Sequence, residues 1–273
     1  MKKSIFYDHL IAVANKENQS IEKIINFSVT LGYKGVDLQW RGENEFIKTY
    51  KLLEKSGMAI SSVYRFWNLS DLFDENEADS FLTCISKYGC NIAMIIPLKS
   101  DELSVDANFQ KAISTLNALC DIAQKHGATV AIEDYDGYDA VICNTVTIKR
   151  ALHSIPKLRH TFDTGNYAYF NESMIDALKL FATKTVYVHL KDRTFASPES
   201  DVNSQASFYG RKVKSCAVGD GFVEIEECIK LLSESGYNGF LSVELFGNTN
   251  ITTAMQKSAK YIDYLLANTS KKN

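Results

Sequence analysis

Four short runs of β-branched and aromatic residues each finish in a side chain able to hold a cation or move a proton. They are Thr129-Val130-Ala131-Ile132-Glu133-Asp134, His160-Thr161-Phe162-Asp163-Thr164, Val186-Tyr187-Val188-His189-Leu190 and Leu241-Ser242-Val243-Glu244-Leu245. Glu133, Asp163, His189 and Glu244 stand at matching positions, and three carboxylates with one imidazole suit a hard or borderline divalent cation. Manganese, magnesium and cobalt fit best and zinc is admissible. A structural zinc site would draw on thiolates, and none of the six cysteines ends these runs. Any one of the four residues alone would read as a salt-bridge or core residue. All four together read differently, because apolar strands do not repeatedly end in desolvated charge without a compensating cation. A cation bridging a ketose carbonyl and its neighbouring hydroxyl would polarise the carbonyl and stabilise an enediolate, with carboxylates moving the proton.

The elements that must position these side chains can be counted. Strand-like runs lie near 4–8, 35–39, 59–64, 91–96, 128–133, 158–163, 185–190 and 240–245. Helical periodicity follows each, near 20–31, 43–56, 75–88, 105–126, 145–154, 173–182, 223–235 and 252–267. In the 105–126 segment Ala112, Leu116, Leu119 and Ala123 recur at three- and four-residue steps, which predicts a face packed on a sheet. Gly32, Gly57, Gly89, Gly127 and Gly236 fall where helices should end. Eight β/α units predict one closed (βα)8 TIM barrel over 1–273, and the length of 273 residues sits just above the roughly 250 typical of that fold. The alternative, a doubly wound open sheet, lacks a G-x-G-x-x-G after the first strand.

With these runs in place, the sequence resembles the xylose-isomerase-like barrel superfamily, in particular its sugar phosphate isomerase/epimerase group. The resemblance spans nearly the whole chain. Its most specific pieces are Gly32-Tyr33-Lys34-Gly35-Val36-Asp37-Leu38, Phe162-Asp163-Thr164-Gly165-Asn166, Val188-His189-Leu190-Lys191-Asp192 and Val218-Gly219-Asp220-Gly221, besides Ile132-Glu133 and Ser242-Val243-Glu244-Leu245. It implies that Glu133, Asp163, His189 and Glu244 bind one divalent metal, with Glu133 and Glu244 doubling as acid/base groups on opposite faces of the substrate. Many relatives carry histidine where Asn166 stands, and in the endonuclease branch that histidine helps hold three zinc ions. With five histidines, of which only His9 and His189 fall near strand ends, a trinuclear site is not expected. Asn166 and the Lys191-bearing run instead match phosphorylated ketopentose 3-epimerases.

Substrate contacts are expected from the neighbours of the ligands and from the earlier strands. Lys191 lies two residues past His189 and so on the same strand face. Arg193, Lys212 and Lys214 lie in the long seventh loop, where they would meet a phosphate. Gly219 and Gly221 would let backbone amides approach an anion. His9 ends the first strand, Trp40 the second, and Tyr64, Arg65 and Trp67 the third, which predicts an aromatic wall. The polar stretch Ser197 to Ser207 has the length of a lid.

The leading expectation is a metal-dependent isomerase or epimerase acting on a small free or phosphorylated sugar. Second comes a dehydratase of the inosose or dehydroshikimate type, which uses the same ligands but expels a hydroxyl. Third is a barrel that binds a sugar without turning it over. A formal net charge of -3, from 30 Lys plus Arg and 33 Asp plus Glu, lacks the basic excess of a nucleic-acid binder. No apolar run approaches the roughly 20 residues that span a bilayer, and unpaired cysteines with no secretory leader suit the cytoplasm. Association into a homo-oligomer is left open.

Overall fold

The computed structural model describes residues 1–137, 139–197 and 207–269. The expected lid falls mostly on 198–206, and the polar tail on 270–273; both lie outside the described residues.

Eight parallel strands close into a barrel: β1 (Lys2–Phe6), β2 (Tyr33–Gln39), β3 (Ala59–Asn68), β4 (Ile92–Leu98), β5 (Thr129–Glu133), β6 (Arg159–Asp163), β7 (Thr185–Leu190) and β11 (Phe240–Val243). Around the ring the order is β1-β11-β7-β6-β5-β4-β3-β2, so β7 and β3 face each other across the axis. Helices α1 (Tyr7–Glu17), α2 (Ile21–Thr30), α3 (Glu43–Glu54), α4 (Glu75–Lys87), α5 (Val105–Lys125), α6 (Thr145–Ser154), α7 (Met174–Phe181), α8 (Ile225–Glu234) and α9 (Ile251–Thr269) run between and after them. The α5 stripe behaves as its spacing predicts, with Ala112, Leu116, Leu119 and Ala123 all buried against the sheet layer. The glycines expected at helix ends have left-handed backbones, for example φ 68° at Gly127, a conformation that costs glycine little and other residues much.

Two elements depart from the sequence reading. The first strand stops at Phe6 and the chain turns directly into α1, whose Leu10, Val13 and Ala14 bury a helical stripe. Tyr7 and His9 therefore belong to a helix rather than to a strand end. The seventh loop contains a small antiparallel sheet, β8 (Asp192–Phe195), β9 (Ser207–Phe208) and β10 (Arg211–Cys216), in the order β8-β10-β9. Among the described residues no helix is long and apolar enough to cross a membrane.

The barrel interior has two zones. At the mouth, Phe6, Tyr64, Met94 and Ile96 form an apolar cluster with Phe66 and Tyr135 against it. Deeper, Ser4 and Ser61 each share a hydrogen bond with the Tyr187 hydroxyl, at 2.9 and 2.7 Å, and Ser242 donates to Asp37. Buried hydroxyls need such partners, because an unpaired one costs about 1–3 kcal/mol.

Candidate active site

Glu133, Asp163, His189 and Glu244 come from β5, β6, β7 and the end of β11, four strands adjacent in the ring. Each is buried, and their candidate ligand atoms lie within 4.8 Å of one another. His189 Nδ1 is 2.5 Å from Glu133 Oε1, 3.4 Å from Glu244 Oε2 and 4.0 Å from Asp163 Oδ2.

Local sequence explains why one oxygen of Asp163 faces the cluster. The chain turns sharply at Thr164-Gly165-Asn166, and the backbone N–H groups of Gly165 and Asn166 donate to Asp163 Oδ1 at 2.7 and 2.9 Å. A side chain at Gly165 would press on the Lys191 carbonyl, its Cβ only 2.7 Å away. Asp163 Oδ2 is left buried with no hydrogen-bond partner. A buried carboxylate oxygen of this kind suits a cation ligand. Behind His189, Asp37 Oδ2 lies 3.7 Å from Nε2, beyond hydrogen-bond distance, so Asp37 acts on the imidazole through its charge. The donor set therefore fits one divalent cation.

Electrostatics agree with that fit. Burial pushes the Glu133 carboxyl up, against the pull of His189, and pushes Asp163 well above the aspartate range. Burial also lifts Asp37 to about 6. His189 is pushed down by burial but carried to about 10 by Glu133 first and then by Asp37 and Glu244. Glu244 is the exception: burial raises it, yet Lys191 and His189 together hold it down at about 2. Three crowded carboxylates with one imidazole leave negative charge that a divalent ion would compensate.

The cluster opens onto a cavity of about 640 Å3 at the barrel mouth. Glu133, Glu244, Lys191, Arg193 and Tyr64 are on its wall, as is Lys214. Lys191 Nζ lies 2.6 Å from Glu244 Oε1 and 3.1 Å from Asp136 Oδ2. The Tyr64 hydroxyl donates to Asp8 at 2.8 Å.

Several expected contacts are not on this wall. Strand alternation turns Arg65 and Trp67 outward: Arg65 pairs with Glu77 of α4 and lies over the Trp67 ring, while Tyr64 and Phe66 face the cavity. Trp40 packs outside the barrel against Phe46 and Phe81. His9, on α1, is buried and accepts the Leu245 N–H at Nε2 (2.8 Å); burial holds it neutral, down at about 4. The Asn166 amide is buried away from the cavity and only its backbone serves the site, through Asp163. Lys212 is exposed on β10 and is not on the cavity wall. Gly219 and Gly221 do present their N–H groups to an anion, but it is the chain's own Asp192, at 2.8 and 3.0 Å.

Asp37 and Asp136 were not singled out by the sequence as site residues. Asp37 carried a signal, a lone carboxylate inside the strand Gly35-Val36-Asp37-Leu38. Asp136 lies on an irregular segment with no periodicity to expose it.

A family model described as the xylose isomerase-like TIM barrel matches residues 25–265. The chain belongs to this family. Curated relatives include an inosose dehydratase of Clostridium botulinum (strain Alaska E43 / Type E3), 23% identical over 92% of this chain and 90% of that protein. Another inosose dehydratase, of Serratia proteamaculans (strain 568), is 23% identical over 92% and 90%. Among solved structures, the probable 3-DHS dehydratase involved in petrobactin synthesis from Bacillus anthracis superposes with a TM-score of 0.73 at 14% identity, covering 96% of this chain and 99% of that one. The IOLI protein with a bound zinc atom gives 0.68 at 15%, covering 100% and 99%. A D-psicose 3-epimerase from Clostridium cellulolyticum H10 gives 0.69 at 12%, covering 98% and 99%; at these identities all three solved structures show a likeness of fold alone. These relatives correct the leading expectation: the sequence kinship that runs the length of the family barrel is to dehydratases, so the isomerase or epimerase reading gives way to the dehydratase one.

Proposed function

We propose that the protein is a divalent-metal-dependent dehydratase that removes water from a cyclic ketone bearing ring hydroxyls, inosose being the nearest example. The observation that carries this is the buried Glu133-Asp163-His189-Glu244 cluster opening onto the cavity at the barrel mouth, in a chain whose curated relatives include inosose dehydratases. All four residues would hold the cation. When bound, it supplies Lewis-acid stabilisation of negative charge building on a keto oxygen.

The chain's own groups divide the proton work. Glu244 is kept ionised by Lys191 and His189 and takes the proton from the carbon beside the carbonyl. Glu133, the other carboxyl of the pair, gives a proton to the hydroxyl leaving the next carbon. The C–H electron pair becomes the new double bond as the C–O bond breaks; the hydroxide leaves as water with the Glu133 proton, Glu244 keeps the carbon's proton, and its return to Glu133 by way of solvent resets the pair. Phe6, Tyr64 and Met94 line the mouth with apolar surface beside the cluster.

Manganese-loaded protein incubated with inosose should yield a product lighter by one water, seen by mass spectrometry. Glu133→Gln and Glu244→Gln, compared at saturating metal, should each slow this by about a hundredfold or more. Recovery of an epimer with no water lost overturns the proposal.

A further inference from the structure

The half of the ring that faces the candidate ligands carries a polar arm of its own. With eight strands in the observed order, β1 stands across the axis from β5, β2 from β6 and β3 from β7. Asp8 follows β1 in the first turn of α1, Gln39 ends β2, Arg41 lies just beyond it and Tyr64 is on β3. All four are on the wall of the mouth cavity. A six-membered ring held at the Glu133-Asp163-His189-Glu244 cluster therefore turns its far edge toward them.

The arm is one hydrogen-bonded unit. Arg41 Nη2 donates to Asp8 Oδ1 at 2.8 Å and to Gln39 Oε1 at 2.7 Å, and Arg41 Nε donates to Gln39 Oε1 at 3.0 Å. The Tyr64 hydroxyl donates to Asp8 Oδ2 at 2.8 Å. These bonds leave a defined remainder. Each carboxylate oxygen of Asp8 keeps a second acceptor position. Gln39, its carbonyl committed to Arg41, keeps the N–H donors of Nε2 without a partner among the described residues. Charge narrows what can fill that remainder. Arg41 already neutralises Asp8, so a ligand cation gains little there, and Glu45, 3.6 Å from Arg41, sets a second carboxylate against a ligand anion. A neutral group that both donates and accepts fits, and that group is a hydroxyl.

We propose that Asp8 and Gln39 read two neighbouring hydroxyls on the ring edge away from the carbonyl. One donates to Asp8, the next accepts from Gln39 Nε2, and Arg41 and Tyr64 hold the two readers in place. A ring with bare carbon at that edge would take water from the Asp8 acceptors and the Gln39 donors and return nothing, which is how a site built for hydroxyls rejects a ligand lacking them. The substrate is thereby a ring hydroxylated, and uncharged, on the side opposite its carbonyl. This inference rests on the dehydratase reading for the placing of the ring, but its test needs no turnover.

Two probes are titrated calorimetrically into manganese-loaded protein. scyllo-Inositol has equivalent hydroxyls on every carbon, so no orientation escapes the arm, and it has no carbonyl to activate elimination. trans-1,2-Cyclohexanediol has two hydroxyls, which the metal end alone would take up. The wild type should prefer scyllo-inositol. Asp8→Ala should weaken scyllo-inositol about tenfold or more, the scale of a hydrogen bond to a charged group, and Gln39→Leu about fivefold. The diol should change by less than about twofold in both variants, which also reports that the site is intact. Equal losses for the two probes, unchanged scyllo-inositol affinity in either variant, or a wild type that does not prefer scyllo-inositol overturn the proposal. Loss of water from inosose by a protein whose Asp8→Ala variant binds scyllo-inositol unchanged would leave the dehydratase reading standing and remove this one.

Discussion

Asp37 touches no substrate-facing surface, yet its charge acts on His189 from behind. Its Oδ2 faces His189 Nε2 and accepts from the Ser242 hydroxyl, while its Oδ1 is buried without a partner. Burial therefore dominates, and the folded carboxyl titrates at about 6, against roughly 4 in an unfolded chain. Below pH 4 both states hold the proton. As the pH rises from 4 through 6 the unfolded chain releases its proton first, so stability is lost, by about 3 kcal/mol in all for a difference of this size. Asp37→Asn has no proton to release. In chelator-treated protein, denaturation midpoints from pH 4 to 7 should show the wild type losing stability relative to the variant. Parallel profiles would mean that Asp37 titrates as it does in water.

At the scale of elements, the strands that carry the ligands were legible because alternation and β-branching are local signals. Glu133, Asp163, His189 and Glu244 all sit where the count of eight units puts them. What was not legible depended on direction or on tertiary partners. Arg65 and Trp67 belong to the same strand end as Tyr64, and period-two alternation alone was enough to send them to the outer face. The start of α1 carried its own signal, since Leu10, Val13 and Ala14 have helical spacing and Asp8 lies in the first turn, but it abuts β1 with no loop to mark the boundary. Nothing in the seventh loop's composition foretold β8 to β10, because a small antiparallel sheet there is specified by contacts with the rest of the mouth.

That loop is anchored by one side chain. Asp192 accepts four backbone N–H bonds, from Arg193, Gly219, Gly221 and Val223, at 2.8 to 3.2 Å. The arrangement requires glycine at 221, where a Cβ would stand 2.1 Å from Asp192 Oδ1 and 2.4 Å from the Arg193 carbonyl oxygen. Gly221→Ala should displace the carboxylate and cost about 1–3 kcal/mol, the usual range for forcing extra volume into a packed site. Urea denaturation measures it. An unchanged midpoint would show that the loop yields without loss, and Asp192 would then not be its anchor.

For the whole molecule, the candidate ligand set spans four adjacent strands, half the ring: β5, β6, β7 and β11. Local opening of any one of them removes a ligand, so a bound cation should report on global stability rather than on a single loop. Binding to the folded state alone stabilises by about 2.7 kcal/mol at a free metal concentration one hundred times Kd. For a chain of this size that corresponds to a rise in Tm of about 5 °C. A bound ion would also offset the burial and mutual repulsion of the Glu133 and Asp163 carboxylates. Manganese should therefore raise Tm by this amount with a stoichiometry of one ion per chain, and chelator should reverse it. His189→Ala should retain little of the shift, because it deletes one candidate ligand and removes the imidazole's charge from beside buried Asp37. A variant that keeps the full shift would place the cation elsewhere, and a wild type with no shift would mean that these four residues hold no metal at all.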